Sequence, residues 1–280
     1  ISDMKKDQRD INKRQKEFYQ DFQKNFATRM WYAIRNGILT NFRKSLGTES
    51  LIVELHREWI GDLREKKVLD LGCFQGNSLS LYLAQNASKY IGIDLSEPAI
   101  AHLNERLQYI PTAKAFAVDF LSEEFQEKDF DLIYAYGVLH HFKDVDELIQ
   151  KLQEKLSTRG RIISYDPTAT SKPVWLLRKL YRPFQTDKDW EWPFTEGTIA
   201  KFERAFDVLD RRGILGKSKW FFLLNLLLLS EEKKMKKGKQ WHEEDWEKSR
   251  TSKKRFFKLY ANKHVNAEKV INAISNLYSC

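Results

Sequence analysis

Four polar residues stand at or just past short apolar runs of the sequence, namely Asp94, Asp119, Tyr136 and Asp166, and Gly72 follows another such run. A carboxylate in such a place can accept charge-assisted hydrogen bonds from the two hydroxyls of a ribose. The adjacent pair His140 and His141 follows another apolar run, and imidazole takes up and releases a proton near neutral pH. The positions of these residues at the ends of apolar runs therefore predict one site that binds a nucleotide-like cofactor.

A glycine turn is the centre of this pattern. The apolar run Val68–Leu71 is followed by Gly72 and Gly76, and helical spacing resumes at Ser78. A strand, a glycine turn and a helix N-terminus let the backbone lie against a ligand. A dinucleotide-binding loop needs Gly-x-Gly-x-x-Gly, whereas Cys-Phe-Gln separates these two glycines, so NAD and FAD are disfavoured.

The stretch Asp70–Gly76 instead resembles the first motif of class I S-adenosylmethionine-dependent methyltransferases, with Phe74 in place of the middle glycine. Four later stretches are similar to the second to fifth motifs of that family, in order: Ile93–Ser96, Val118–Phe120, Phe130–Phe142 and Gly160–Pro167. The resemblance covers residues from about Lys66 to Pro167. It is closest in kind to methyltransferases that modify hydroxyls of sugars and other small molecules.

This resemblance implies S-adenosyl-L-methionine as cofactor. Asp94 is then expected to bind the ribose hydroxyls, Asp119 to meet the adenine amino group and Phe120 to line the adenine. Asp70 is expected to orient the loop or to receive the cofactor's ammonium group through water, with simple bonding to backbone amides as the alternative. The predicted cofactor-binding residues are Asp70, Gly72, Cys73, Phe74, Gly76, Asp94, Leu95, Asp119, Phe120 and Tyr136.

The resemblance also implies the catalytic residues. Related O-methyltransferases use a histidine at the Leu-His-His position and an acidic residue after the next strand, which correspond here to His141, His140 and Asp166. A carboxylate can fix the imidazole tautomer while the imidazole takes the hydroxyl proton. The alternative is that one histidine caps the next helix and that Asp166 starts a turn. The remaining histidines, at positions 56, 102, 242 and 264, lie in charged contexts and are expected at the surface.

The elements that must position these residues alternate between strand and helix from Lys66 onward. Strands are predicted at Val68–Leu71, Tyr90–Asp94, Ala115–Val118, Phe130–Ala135, Arg161–Tyr165 and Phe206–Leu209. Such alternation is typical of a Rossmann-like, doubly wound, mainly parallel sheet, here expected to have seven strands. We expect a helical cap at 1–47, a core at 48–216 with a lid insertion at about 167–197, and an apolar and basic extension at 217–280. The alternatives are an ordinary packed helix for the cap and a surface loop for the insertion.

The composition restricts the partners and the compartment. Two cysteines in 280 residues predict neither a disulfide framework nor a metal site, so a cytoplasmic protein is expected. The net charge of +9 and the lysine-rich stretch after Trp220–Leu229 suggest peripheral membrane contact through 217–240, or a buried final element.

Three functional alternatives remain open at this stage. The first is a quinone or lipid-linked acceptor at a membrane surface, and the second is a cofactor-binding module without catalysis. Methylation of RNA is the third and is disfavoured, because the fourth strand is followed by Gly137–His141 rather than by an Asn/Asp-Pro-Pro-aromatic motif. We therefore expect a small-molecule acceptor and no nucleic acid, while the oligomeric state is left open.

Overall fold

The computed structural model describes residues 48–170, 191–214, 216–218, 229–250 and 256–263, together with single positions at 11, 176, 179, 180, 220, 221 and 224. The predicted cap and most of the predicted lid insertion lie outside this part of the chain. In chain order the described elements are α1 (Thr48–Ile60), β1 (Lys67–Leu71), α2 (Ser78–Asn86), β2 (Lys89–Asp94), α3 (Glu97–Leu107), β3 (Ala113–Ala117), β4 (Phe130–Tyr136), a 3₁₀ helix (Leu139–His141), α4 (Val145–Lys155), β5 (Leu156–Pro167), α5 (Glu196–Ala205), β6 (Phe206–Ile214), α6 (Glu231–Glu247) and β7 (Phe256–Lys263).

The described strands form one seven-stranded sheet in the order β3-β2-β1-β4-β5-β7-β6. The neighbours from β3 to β5 are parallel, whereas β7 is antiparallel to both β5 and β6. The predicted Rossmann-like, mainly parallel architecture is confirmed. Strand order reverses between β1 and β4, and ligands of such sheets bind in the crevice beyond the carboxyl ends of the strands at this switch point.

Apolar side chains cover both faces of the sheet, because alternate residues of each strand point to opposite sides. Leu69 and Leu71 of β1 belong to one buried cluster, which includes residues of α4 and α5. Val68 belongs to a second cluster, which includes residues of α1, α2 and α3. Burial on both faces explains why the strands read as nearly continuous apolar runs in the sequence. It also fixes the register that brings the strand ends together.

Strand β7 corrects the expected organisation of the C-terminal stretch. The sequence sets the end of the core at residue 216, yet residues 256–263 pair with Arg161–Pro167 of β5 and with Phe206–Ile214 of β6. The segment Phe-Phe-Lys-Leu-Tyr-Ala is rich in residues that favour strands. The basic residues next to it made the whole stretch look like a charged extension when only its composition was considered. The helix-like run predicted around Val265–Tyr278 lies outside the described residues.

Candidate active site

A cavity of about 350 Å³ opens at the switch point of the sheet. Its volume lies in the range of sites for small molecules and cofactors. The residues that line it come from the ends of β1, β2 and β4 and from the segments that follow β3 and β4: Leu71, Gly72, Phe74, Ile93, Asp94, Leu95, Val118, Asp119, Phe120, Tyr136, Gly137, Val138, His141 and Phe142. Sequence-distant polar residues thus converge on one concave surface.

Two glycines shape the turn after β1. Gly72 has φ +70°, and a Cβ built there would lie 2.5 Å from Cγ2 of Val138, which follows β4. Gly76 has φ +74°, and a Cβ would lie 2.7 Å from Cδ1 of Leu103 on α3. Both positions therefore exclude a side chain for conformational and steric reasons. The turn leads into α2, whose first amides donate to the Asn77 side chain.

Phe74 occupies the middle of this turn with φ +46°, in the left-handed region that glycine prefers. Its backbone N–H donates to Asp94 Oδ2 at 3.1 Å. The preceding amides of Gly72 and Cys73 both donate to the carbonyl of Ile93, at 2.8 and 3.1 Å. The turn is thus tied to the end of β2, and the residue that replaces the family's middle glycine touches the predicted ribose ligand.

Asp94 stands at the end of β2 and faces the cavity. Oδ1 accepts the Ser96 N–H at 2.9 Å, while Oδ2 accepts the Phe74 N–H. Burial raises the pKa of Asp94, and the backbone hydrogen bonds from Ser96 and Phe74 oppose that rise. Each carboxylate oxygen has a second lone pair, so the oriented carboxylate can also accept the hydroxyls of a ribose.

The segment after β3 supplies further residues that line the same cavity. Asp119 Oδ1 accepts the N–H of Leu121 at 3.0 Å, which closes a short turn. Phe120 is buried, and its ring packs edge-on against Phe142 with centroids 6.1 Å apart. An acceptor carboxylate beside an aromatic side chain suits the amino group and face of an adenine, as predicted for these two positions.

Asp70 and Cys73, in contrast, face away from the cavity. The Tyr90 hydroxyl donates to Asp70 Oδ2 at 2.9 Å beneath the helices that cover this face of the sheet. Burial raises the pKa of Asp70 to about 6, against the lowering effect of its hydroxyl partners. Cys73 is buried and lies against Gly92, where an added Cβ would come within 2.9 Å of its sulfur. The structure therefore places both residues behind the glycine turn.

A histidine–carboxylate pair lies at the exit of β4. Nδ1 of His140 is 2.9 Å from Asp166 Oδ1, which also accepts the His140 backbone N–H at 3.1 Å. Asp166 is fully buried; burial raises its pKa to about 7, while hydrogen bonding from the His140 backbone and the charge of His141 lower it.

His141 lines the cavity directly, whereas His140 and Asp166 lie behind it. The two imidazole rings are 4.1 Å apart between centroids and inclined by 36°. The order from the cavity inward is therefore His141, His140 and Asp166. This arrangement can take a proton at the cavity wall and stabilise the resulting positive charge through the buried carboxylate.

Both ends of the predicted lid insertion are fixed beside this group. The Phe194 N–H donates to the Pro167 carbonyl at 2.9 Å, and the Ala169 N–H donates to the Phe194 carbonyl at 2.9 Å. The Trp192 N–H donates to the His140 carbonyl at 2.8 Å. The chain thus leaves β5 and returns beside His140, and residues 171–175, 177–178 and 181–190 between these points lie outside the described part.

Tyr136 joins the cavity to a buried aromatic cluster. Its ring lies 4.8 Å from that of Tyr165 and 6.0 Å from that of His56, between centroids. His56 is fully buried on α1, where its Nδ1 is 2.8 Å from the Tyr134 hydroxyl and its ring stacks on Trp59. The surface position expected for His56 is wrong, because the inner face of α1 packs on β4.

The other three histidines also test that expectation. His242 is buried on α6, contrary to the expectation, and burial lowers its pKa. The His102 side chain is 53% exposed on α3, as expected. His264 lies outside the described residues. The charged neighbours of His56 and His242 in the sequence conceal the face of the helix on which each histidine lies.

Seven of the ten predicted cofactor-binding residues line the cavity, and Asp70, Cys73 and Gly76 do not. Gly76 lies outside the cavity, in the part of the turn that Arg106 holds. The Arg106 guanidinium donates to the carbonyls of Gln75 and Gly76, the latter at 2.7 Å. Arg106 was not predicted, because nothing in its local sequence relates it to a turn thirty residues earlier. Val138 and Phe142 were also missed, although the run Phe130–Phe142 contains them.

The apolar run before α6 is partly covered by protein. Among its described residues, Phe221 and Leu224 are buried in a small cluster against Met235 and Trp241 of α6. No helix in the part of the chain that the structure describes is both long and apolar enough to cross a membrane.

Comparisons with known proteins agree with this architecture. A family described as a methyltransferase domain matches residues 45–209. A tRNA U34 carboxymethyltransferase from Pseudoalteromonas atlantica is 29% identical over 105 residues, which are 37% of this chain and 32% of that protein. A phosphoethanolamine N-methyltransferase from Plasmodium falciparum is 31% identical over 111 residues, which are 39% of this chain and 42% of that protein. The chain thus spans less than half the length of these two relatives.

A solved structure shows the same fold. Geranyl diphosphate C-methyltransferase from Streptomyces coelicolor, crystallised with Mg²⁺, geranyl diphosphate and S-adenosyl-L-homocysteine, aligns with a TM-score of 0.52. The alignment covers 77% of this chain and 81% of that chain at 12% sequence identity.

Proposed function

Because the chain belongs to the family of methyltransferase domains, we propose that it transfers a methyl group from S-adenosyl-L-methionine to a hydroxyl of a small molecule, with His141 as general base. S-adenosyl-L-methionine is the methyl donor, held with its ribose on Asp94 and its adenine between Asp119 and Phe120. One observation carries the proposal: His141 lines the same cavity as Asp94 and rests on a His140–Asp166 pair.

The donor is bound by charge and by shape. Asp94 is oriented by two backbone N–H groups and offers its remaining lone pairs to the ribose diol. Gly72, which has a left-handed backbone and lines the cavity, lets the main chain of the turn come close to the cofactor's amino-acid end. When bound, the cofactor supplies an electrophilic methyl group on a sulfonium, which leaves toward a nucleophile in line with the breaking bond.

The acceptor is activated from the other side of the cavity. A hydroxyl is a weak nucleophile until its proton is removed, and a positioned histidine provides this at neutral pH. His141 takes the proton, while His140 and the buried Asp166 carboxylate stabilise the positive charge that the ring acquires. The aromatic side chains of Tyr136 and Phe142 exclude water from the point of transfer.

The relatives suggest a second class of acceptor. The phosphoethanolamine N-methyltransferase from Plasmodium falciparum, which is 31% identical over the matched segment, is named for methyl transfer to a nitrogen. With an amine, His141 would remove the ammonium proton before transfer rather than a hydroxyl proton during it. The two cases differ in the atom that receives the methyl group, and the same residues would serve both.

The test is to incubate the protein and isotopically labelled S-adenosyl-L-methionine with a cell extract, and then to separate small molecules, lipids and RNA before mass spectrometry. The proposal expects label on an oxygen of a small molecule. Label on a nitrogen supports the second acceptor class, whereas label on lipid or RNA, or no labelled product, contradicts the proposal.

A further inference from the structure

The glycine turn holds a phenylalanine in a backbone conformation that disfavours it. Phe74 has φ +46°, and the other two non-glycine residues with positive φ in the described part, Glu65 and Asp129, lie outside the residues that line the cavity. Strained residues persist where the surrounding structure holds them, and they concentrate at ligand sites. The Phe74 side chain is therefore expected to have a role in the cavity.

The backbone of Phe74 does not explain the phenylalanine. Its N–H donates to Asp94, and the turn around it is held by the Ile93 carbonyl and by Arg106. A glycine would make the same N–H bond without strain, because φ near +46° is open to it. The ring is thus the only feature that phenylalanine adds.

Phe74 belongs to the part of the cavity wall that a donor bound through Asp94 would face. Phe74 lines the cavity between Gly72 and Asp94, and its own amide touches the ribose-binding carboxylate. The sulfur of S-adenosyl-L-methionine is bonded to the C5′ carbon of that ribose. A side chain that starts beside the Asp94 carboxylate and borders the glycine turn is therefore close enough to contact the sulfonium of a donor whose ribose is bound by Asp94.

We propose that Phe74 is a specificity-determining residue whose ring faces the sulfonium and favours the charged methyl donor over the neutral product S-adenosyl-L-homocysteine. An aromatic face attracts a cation within about 6 Å of its centroid, and the attraction grows when water is excluded. Methyl transfer removes the positive charge from sulfur, so the attraction ends with the reaction and the product is released more easily. The proposal rests on S-adenosyl-L-methionine as donor and is independent of the acceptor.

The test compares the affinities of both forms of the cofactor by isothermal titration calorimetry. Phe74→Leu keeps an apolar side chain but removes the ring, so binding of S-adenosyl-L-methionine should weaken roughly three- to tenfold more than binding of S-adenosyl-L-homocysteine. Phe74→Tyr retains the ring and should keep the wild-type ratio of the two affinities. Phe116→Leu, which removes a partly exposed ring on β3 outside the cavity, is the matched control and should change neither affinity.

A second variant guards against loss of the fold. Phe74→Gly suits the positive φ, so the ligand-free protein should melt at or above the wild-type temperature while the preference for the charged donor is lost. Equal changes in both affinities, or an unchanged ratio in Phe74→Leu and Phe74→Gly, would overturn the role of Phe74 alone. Failure of the wild type to bind either form would overturn the assignment of the donor, and this proposal with it.

Discussion

The two walls of the cavity are built in different ways. The donor wall, Gly72–Phe74 with Asp94, Asp119 and Phe120, is ordered by backbone amides that bond to strand-end carboxylates and carbonyls. The acceptor wall, Tyr136–His141 with Asp166 behind it, depends on side chains from separate strands that meet only in the folded protein. The donor wall is thus ordered mainly by main-chain hydrogen bonds between neighbouring strand ends, and the acceptor wall mainly by side-chain contacts between strands.

This difference implies that the walls fail in different ways. Damage to the donor wall should weaken cofactor binding and leave catalysis at saturating cofactor largely intact. Damage to the acceptor wall should slow methyl transfer and leave cofactor binding intact. Each prediction below separates these two effects.

The largest effect is expected from His141→Ala. Removal of a general base lowers turnover by about 10²- to 10⁴-fold, whereas the cofactor contacts of the donor wall remain. Steady-state kinetics with the labelled donor should show this loss, and titration with S-adenosyl-L-homocysteine should give an affinity within about twofold of wild type. His102→Ala, at an exposed position on α3, is the control. Wild-type turnover in His141→Ala would remove that residue from the role of base.

Asp94→Ala should weaken binding of S-adenosyl-L-homocysteine by about 100-fold, because two charge-assisted hydrogen bonds of roughly 1.5 kcal/mol each are lost. Calorimetry measures this directly. Asp62→Ala removes an exposed carboxylate that pairs with Arg64, and it should leave the affinity unchanged. An Asp94→Ala protein that binds the cofactor as tightly as wild type would show that the ribose lies elsewhere.

The buried carboxyl of Asp70 should make stability depend on pH. Its pKa is raised to about 6 in the folded protein from 3.8, so the folded state holds a proton that the unfolded state has released. The stabilising contribution is complete below about pH 3.8 and is lost as the pH rises to about 6. In wild type this carboxyl lowers the free energy of unfolding by about 3 kcal/mol between these two pH values, and urea unfolding should show that Asp70→Asn lacks this decrease. An identical pH profile in the variant would contradict the placement of Asp70.

Asp166 also lowers the free energy of unfolding as the pH rises, and its effect extends to about pH 7. Asp94, whose pKa is raised as well, contributes in the same direction. The informative quantity is therefore the difference between wild type and Asp70→Asn at each pH, in which the contribution of Asp166 cancels and only the electrostatic coupling of Asp70 with Asp94 adds to that of Asp70 itself.

The smallest effect is expected from Arg106→Ala. Arg106 is exposed, and its bonds to the carbonyls of Gln75 and Gly76 contribute about 1 kcal/mol, which corresponds to roughly fivefold weaker cofactor binding. Arg57→Ala, which removes a similarly exposed guanidinium from α1, should leave the cofactor affinity unchanged. A melting temperature that falls with no change in affinity would place Arg106 in the packing of α3 rather than in support of the turn.

The donor wall could be predicted from the sequence because its chemistry is local. An apolar run followed by Gly72 or by Asp94 specifies a strand and the residue at its end, and parallel strands bring such ends to one edge. Asp70 and Cys73 do not line the cavity, because Asp70 points to the face of β1 opposite Leu71 and the Cys73 sulfur lies against Gly92. Arg106 was beyond local reasoning, because it reaches the turn only through the packing of α3.

The acceptor wall could be predicted only as a set of candidates. Resemblance to related enzymes indicated His140, His141 and Asp166, but the sequence could not say which histidine faces the ligand. The fold decides this, because the 3₁₀ helix directs His140 toward β5 and leaves His141 on the cavity wall. Strand β7 and the buried His56 were missed for a related reason: charged neighbours in sequence concealed apolar neighbours in space.

The most direct test of the two-wall arrangement measures methyl transfer from labelled S-adenosyl-L-methionine for wild type, Asp94→Ala and His141→Ala, each at low and at saturating donor concentration. We expect Asp94→Ala to be slow at low donor concentration and to approach the wild-type rate at saturation. We expect His141→Ala to be slow at both concentrations. Recovery of His141→Ala at saturating donor, or failure of Asp94→Ala to recover, would contradict the separation of donor binding from catalysis.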